Sequence, residues 1–539
     1  MKILTAQEAV ALIPDGATVA ATGFGMIQHP EHLTAALEDR FLQTGSPRDL
    51  TYVHSAGQGN AAGAGADHLA HEGLLKRDIG GHFRMSPRLG QMILDDRVEA
   101  YNWPQGAIAL LYREIAAKRP GLLTHAGLGT FVDPRLQGGK MTPRTTEELV
   151  EVVRAAGREW LLYPAFPIHV GLIRMTAADP HGNCTHHREA CIMETLALAM
   201  AAHNSGGMVI AQVAELLYEP LAPHEVDVPG LFVDVVVVAP PEHHWHSGDC
   251  EWNPAFLGRG RIAARAEGAG GYSAPGPDTC RDEAAAGMRP LPLDERKVIA
   301  RRAAMELFDG ATVNLGIGMP EGVASVAYEE GIFDRLHLTV ESGTIGGVPA
   351  GGQSFGASTL PLALISHVDM FDFYSGGGLD LTFLGLAEFD RAGNVNVSRF
   401  GKIVAGCGGF IEISQNARKI VFCGTLTASG LQTEVTDAGL RIVQEGKLTK
   451  AREQIQQITF SAAEALRRET PVLYVTDRCV FELRPEGVTL TEIAPGVELE
   501  QDILAQMEFA PMIASELRTT DARLFREAPM GQAVGGAGY

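Results

Sequence analysis

The chain has 539 residues, too long for a single hydrophobic core and in the range of two to four domains. Hydrophobic residues make up 45% and charged residues 20%, which is ordinary for a soluble globular protein. A formal charge of −21 argues against a nucleic-acid or anionic-membrane partner, although one anionic ligand held by backbone N–H groups stays open.

The 62 glycines gather at the ends of apolar stretches, the pattern of an α/β protein with tight strand-to-helix turns. The first such unit runs from Asp15-Gly16-Ala17-Thr18-Val19 into Gly23-Phe24-Gly25-Met26: a turn, a short strand, a glycine turn and a helix. Its third glycine would fall at Gln28, so this is not a dinucleotide fingerprint. Farther on come Asp179-Pro180-His181-Gly182-Asn183 and the apolar strand Met208-Val209-Ile210. Leu231 to Ala239 is short and contains Asp234, so it reads as a buried strand rather than a membrane span. Two runs rich in His and Cys, at 181–191 and 243–250, lack paired zinc-ligand spacing, and no metal is expected. The seven cysteines show no pairing pattern, and no signal peptide is recognisable. Together these predict reduced thiols and a cytoplasmic location.

Composition places a linker at 241–292, with Gly268-Ala269-Gly270-Gly271 and Pro275-Gly276-Pro277 inside it. A second domain then opens on a helix at Asp294-Glu295-Arg296-Lys297, with Ile299, Ala300, Ala303, Ala304, Leu307 and Phe308 on one apolar face. Asp309-Gly310-Ala311-Thr312-Val313 leads into Gly316-Ile317-Gly318-Met319-Pro320 and repeats the first unit. Asp390-Arg391-Ala392-Gly393-Asn394, followed by the strand Ile420-Val421-Phe422, repeats the second. Two echoes in the same order predict two related open-sheet α/β domains fused in one chain. Their expected bounds are 1–240 and 293–518, with a C-terminal tail at 519–539 whose glycine-rich end, Gly531 to Tyr539, is expected to be loose.

Leu336, Leu338 and Val340 alternate with polar residues as a strand that ends on Glu341. Ser342-Gly343 and a loop through Gly346, Gly347, Gly351, Gly352 and Gly356 follow. A carboxylate at a strand's carboxyl end stands where open α/β sheets bind ligands, though pattern alone leaves open a plain turn-capping role. The loop lacks the ending of a P-loop. Gly352-Gln353-Ser354-Phe355-Gly356 matches a nucleophile elbow as a string, without the strand that should lead into it. Cys407 and Cys423 lack a neighbouring activating group in sequence and read as small buried hydrophobes.

Val340-Glu341-Ser342-Gly343-Thr344-Ile345-Gly346-Gly347 resembles the active-site glutamate motif of family I CoA-transferases, closest to the fused acyl-CoA:acetate/3-ketoacid type. The resemblance extends over nearly the whole chain. It includes Phe41-Leu42-Gln43-Thr44-Gly45, His71-Glu72-Gly73-Leu74, Tyr101-Asn102-Trp103-Pro104-Gln105-Gly106 and Gly127-Leu128-Gly129-Thr130-Phe131 in the first half. In the second half it includes Gly406-Cys407-Gly408-Gly409-Phe410 and Phe525-Arg526-Glu527-Ala528-Pro529-Met530-Gly531. Met26-Ile27-Gln28-His29 departs from the family pattern, at a turn expected to help shape the acyl pocket.

What the resemblance implies is a CoA-transferase with its active site in the cleft between two CoA-transferase/NagB-like domains. Glu341 would be the nucleophile, passing through a mixed anhydride and a glutamyl-CoA thioester in a ping-pong cycle. The oxyanions would be held by the backbone at Ile317 and at Gly408 and Gly409. Gln105, Gly25, Gly346 and Gly347 would contact substrate. Acyl-CoA and short-chain carboxylates, acetate or a 3-keto acid, are the expected partners of a homo-oligomer (dimer or tetramer), with coenzyme A as substrate and no separate cofactor. The alternatives on this scaffold are an acyl-CoA hydrolase and a non-catalytic acyl-CoA or sugar-phosphate sensor.

Overall fold

The structure is a computed structural model that describes residues 1–258 and 290–531. It forms two compact units: the described residues of Met1–Gly276 with Val340–Phe373 and Gly401–Glu412, and those of Pro277–Thr339, Tyr374–Phe400 and Ile413–Tyr539.

The first unit is built on the strands β1 (Lys2–Ile3), β2 (Thr18–Ala21), β3 (Leu50–His54), β4 (Leu75–Gly80), β5 (Glu99–Asn102), β6 (Val170–Ala178), β7 (Met208–Leu216) and β8 (Val235–Val238). Their order is β1-β8-β7-β6-β2-β3-β4-β5 and every neighbouring pair is parallel. A parallel sheet must be covered on both faces, so its central strands carry apolar residues without alternation. All nine residues of β6 are accordingly buried. Cover comes from helices α1 (Glu31–Thr44), α2 (Gln105–Ala116) and α3 (Thr195–Asn204), and α2 packs on α3. In α2, Ala107, Ile108, Leu111, Tyr112 and Ile115 fall on one helical stripe and all are buried.

In the second unit, helix α4 (Glu295–Ala304) starts where expected, because the Asp294 carboxylate caps the N–H groups of Arg296 and Lys297. Strands β9 (Thr312–Leu315), β10 (His337–Thr339), β11 (Leu381–Gly385), β12 (Lys419–Cys423) and β13 (Val472–Val475) run parallel in the order β10-β9-β11-β12-β13. Beyond them β14 (Cys479–Arg484) and β15 (Gly487–Ile493) form an antiparallel meander, and β16 (Met512–Thr519) closes the edge parallel to β15.

The sequence echoes are structural. β2 and β9 each lie inside their sheet with a parallel strand on either side. In the first unit Asp179 accepts from the Asn183 N–H at 2.9 Å and from its side-chain amide at 3.0 Å. In the second, Asp390 makes the same two bonds with Asn394, both at 2.9 Å.

The expected bounds of 240 and 293 do not coincide with the compact units, because two pieces of the later chain, 340–373 and 401–412, pack into the first unit. Residues 241–258, expected to begin a linker, are built into that unit as well. His246 stacks on Trp252 with ring centroids 4.3 Å apart, and Ala255 and Phe256 are buried. The glycine and proline runs at 268–277 lie outside the described residues. The part of the tail before Gly531 is anchored, and 532–539 of the segment expected to be loose lie outside the described residues. The buried Arg301 donates to the Ala528 carbonyl at 3.1 Å, and Phe525 is fully buried.

Candidate active site

Glu341 follows β10 at the start of a hairpin-like turn and is 8% exposed. The turn closes on itself, with Gly343 N–H donating to Val340 O and Val340 N–H to Thr344 O, both at 3.0 Å. Gly343 has φ of +105°, and a Cβ there would lie 2.0 Å from the Ile365 carbonyl oxygen. Only glycine lets these two backbones meet, and the Ile365 N–H returns a bond to Gly343 O at 2.9 Å. Thr344–Ile345 then pairs antiparallel with Ala363–Leu364.

On its other side the turn is held by the Ser342 hydroxyl, which donates to Gly356 O. Gly356 in turn abuts Phe24: a Cβ at Gly356 would come within 2.6 Å of that ring. Gly25 follows Phe24 and is fixed by its N–H bond to Gly57 O at 2.7 Å. Gly346 and Gly347 both have positive φ and crowd Leu362 and the Thr359 carbonyl, so loop packing alone already requires glycine at both.

Gln105 opens α2 and is 2% exposed. Its backbone N–H donates to Gly408 O at 3.0 Å, and a Cβ at Gly408 would stand 3.6 Å from Gln105 Oε1. The Gly408 N–H is donated to Gly81 O at 2.8 Å. Of the two glycines expected to supply oxyanion donors, Gly408 is therefore committed. Among the described residues the Gly409 N–H meets no acceptor. Close by, the Glu412 carboxylate accepts the Ala107 N–H at 2.7 Å, in the first turn of α2. Burial pushes the Glu412 carboxyl up to about 8, against the helix-start N–H groups that pull it down. The buried Cys407 thiol is likewise raised well above its ordinary value by burial, which makes it a poor nucleophile.

Ile317 lies in the second unit, 58% exposed. The glycines on either side have their N–H groups engaged, Gly316 by Phe383 O at 2.8 Å and Gly318 by the Glu321 carboxylate at 3.0 Å. The Ile317 N–H has no acceptor among the described residues. Every other expected site residue (Glu341, Gln105, Gly25, Gly346, Gly347, Gly408 and Gly409) belongs to the first unit.

Sequence reasoning missed a buried polar chain attached to Gln105. Ser55 Oγ donates to Glu194 Oε1 at 2.7 Å, Glu194 Oε2 faces His367 Nδ1 at 2.7 Å, and His367 Nε2 faces Gln105 Nε2 at 2.9 Å. All four residues are at most 2% exposed. A lone glutamate before one helix and a lone histidine starting another, α5 (His367–Ser375), carry no joint signal when 173 positions separate them.

The Met26-Ile27-Gln28-His29 turn is buried apart from the half-buried Met26. Gln28 adopts φ of +52°, its carbonyl accepts from Thr22 Oγ1 at 3.1 Å, and its side-chain oxygen accepts the Met193 N–H at 2.6 Å. Arg174 reaches Met26 O at 3.3 Å and forms an ion pair with Glu189 at 3.2 Å, with both side chains 2% exposed. Phe24 and Ile27 join Ala56, Ala190, Cys191, Met193, Phe256 and Ala357 in an apolar cluster of their own. The histidine-rich runs are spent on packing bonds: His186 Nε2 meets Thr195 Oγ1 at 2.9 Å and His246 Nε2 meets Arg188 O at 2.6 Å.

Residues 3–239 match the protein family described as Coenzyme A transferase. The caffeate CoA-transferase of Acetobacterium woodii is 43% identical over 533 residues, 98% of each chain. The acetate CoA-transferase YdiF of Escherichia coli (strain K12) is 42% identical over 531 residues, 98% of this chain and 96% of that one. The crystal structure of the YdiF acyl-CoA transferase of Escherichia coli O157:H7, a thioester complex with CoA, superposes with a TM-score of 0.89. It is 40% identical and covers 99% of this chain and 98% of its own.

Proposed function

Because this chain belongs to the coenzyme A transferase family and is a CoA-transferase, we propose that it moves CoA between a short-chain acyl-CoA and a free carboxylic acid by a ping-pong cycle on Glu341. Acetate and 3-keto acids are the acceptors put forward. The observation that carries the reading is the convergence on one short segment, 365–367. The turn that bears Glu341 is pinned to Ile365, and Gln105 is held by His367 two residues later.

In the first step a Glu341 oxygen attacks the thioester carbonyl, and collapse of the tetrahedral intermediate expels CoA thiolate and leaves a mixed anhydride. The thiolate then attacks the glutamyl carbonyl, the C–O bond of the anhydride breaks, and the first acid leaves as its carboxylate. A second carboxylate attacks the glutamyl-CoA thioester and reverses the sequence. A carboxylate nucleophile is ordinarily ionised at neutral pH and needs no general base, and each intermediate remains an activated acyl compound.

Each tetrahedral intermediate bears an oxyanion, for which the Gly409 and Ile317 N–H groups are the donors put forward. One such donor is worth about 2.7–4 kcal/mol of barrier in other enzymes. Gln105 orients the acyl carboxylate, while Gly25, Gly346 and Gly347 let substrate approach the backbone.

The kinetic test is a set of initial rates with acyl-CoA and acetate both varied. Parallel double-reciprocal lines support the cycle. Intersecting lines would require both substrates on the enzyme at once and would refute it. CoA release at an undiminished rate without any acceptor would show hydrolysis instead.

A further inference from the structure

We infer that His367 and Glu194 are positioning residues that fix which way the Gln105 carboxamide points; this rests on the reading of Gln105 as the group that orients the acyl carboxylate.

A primary amide has two faces that differ chemically, an oxygen that only accepts and an NH₂ that only donates. Which of them meets the substrate decides what Gln105 can do. At Gln105 the choice is made by the neighbours. Glu194 is 1% exposed, and its two carboxylate oxygens take one donor each, Ser55 Oγ and His367 Nδ1, both at 2.7 Å. An acceptor facing Nδ1 calls for the imidazole proton on that nitrogen, and a ring carrying only that proton presents Nε2 as a lone pair. A lone pair 2.9 Å from the Gln105 amide can only be met by its NH₂. The carboxamide oxygen is thereby turned away from His367, toward the Gly408 turn, where it stands 3.6 Å from a Cβ position on Gly408. Gln105 keeps its second N–H and its oxygen for the substrate, in one orientation.

The chain also has an anchored end. The His367 N–H donates to Ile192 O at 2.7 Å, and its ring meets Phe371 edge-on with centroids 5.0 Å apart. The imidazole is held by backbone, ring and carboxylate at once. Each link is fully enclosed, so water cannot substitute for a missing partner. A Gln105 released from this chain populates both amide orientations, and one of them presents NH₂ where the oxygen belongs.

Two measurements test the inference. The first uses wild-type protein labelled with ¹⁵N-histidine, with the His367 signals assigned by their loss in His367→Phe or, should that variant not fold, in His367→Gln. The expected signature is a protonated Nδ1 and a bare Nε2, the minor tautomer of free imidazole. An Nε2–H tautomer or an imidazolium would overturn the inference outright. The second is kinetic. His367→Phe keeps the ring and removes both nitrogens, and it should lower kcat by roughly tenfold or more while the KM for acyl-CoA moves less than about twofold. His367→Gln, which can offer one donor and one acceptor, should restore most of the rate. Adding Gln105→Ala to His367→Phe should cost nothing beyond Gln105→Ala alone, because both act through one amide.

Additive losses in the double variant, or no rescue by His367→Gln, would reduce His367 to a packing residue. An impaired Gln105→Ala beside a fully active His367→Phe would sink the positioning role and leave the reading of Gln105 standing. A fully active Gln105→Ala would sink both.

Discussion

Replacing Glu412 by glutamine isolates the energetic cost of a buried acid that also caps the helix carrying Gln105. Burial raises the Glu412 carboxyl from 4.5 to about 8. The folded protein therefore holds a proton that the unfolded chain releases at lower pH, and stability falls as pH rises from about 4.5 through 8. The full displacement is worth about 5 kcal/mol, a ceiling reached only above pH 8. With unfolding entropy near 2.1 cal/mol/K per residue, that ceiling corresponds to about 4 °C in Tm for a chain of 539 residues. Glutamine keeps an oxygen to accept the Ala107 N–H and has no proton to lose. The assay is thermal unfolding of both proteins from pH 5 to 9. The Tm of Glu412→Gln relative to wild type should climb by up to about 4 °C across that range and then level off. A Tm difference that stays constant with pH would show that Glu412 titrates alike in the folded and unfolded chains and would exclude a carboxyl raised by burial.

Gly343→Ala places a Cβ 2.0 Å from the Ile365 carbonyl at a φ of +105°, so the turn behind Glu341 has to shift. A displacement on the order of 1 Å there should cut kcat/KM roughly a hundredfold while circular dichroism shows a folded protein. Against burial, Arg174 and His244 hold the Glu189 carboxyl low; Arg174→Met strips the arginine partner and should cost about 3–5 kcal/mol in denaturant titrations. Adding Glu189→Gln should recover much of it. Burial pulls His68 down, but bonds to Glu31 and Glu38 outweigh it and push His68 up to about 9. A raised histidine stabilises the fold at low pH and ceases to as pH rises through about 9. The Tm advantage of wild type over Glu38→Gln should therefore shrink between pH 7 and 10.

Much of the fold was legible because it is written in local chemistry. The strand–turn repeats at Asp15 and Asp309 and the paired Asp–Asn turns survive as matching geometry because turn residues act over four or five positions. Asp294 marked the start of α4 for the same reason. What sequence could not show is which distant pieces pack together. The return of 340–373 and 401–412 to the first unit depends on contacts between segments hundreds of positions apart, and so do the Glu194–His367–Gln105 chain and the capture of the Gly408 N–H by Gly81. The glycine turn at 408–409 was recognisable as a turn, but which of its two N–H groups is left available is decided by Gly81, from another strand's end.

The proposed cycle turns on the covalent attachment of CoA to Glu341. It is tested most directly by intact-protein mass spectrometry after acyl-CoA is added without an acceptor, to wild type and to Glu341→Gln. A CoA-sized adduct is expected on wild type alone, located on the peptide containing Glu341 and discharged by acetate. An unmodified wild-type protein that nevertheless transfers CoA, or an equal adduct on Glu341→Gln, would contradict the proposed cycle.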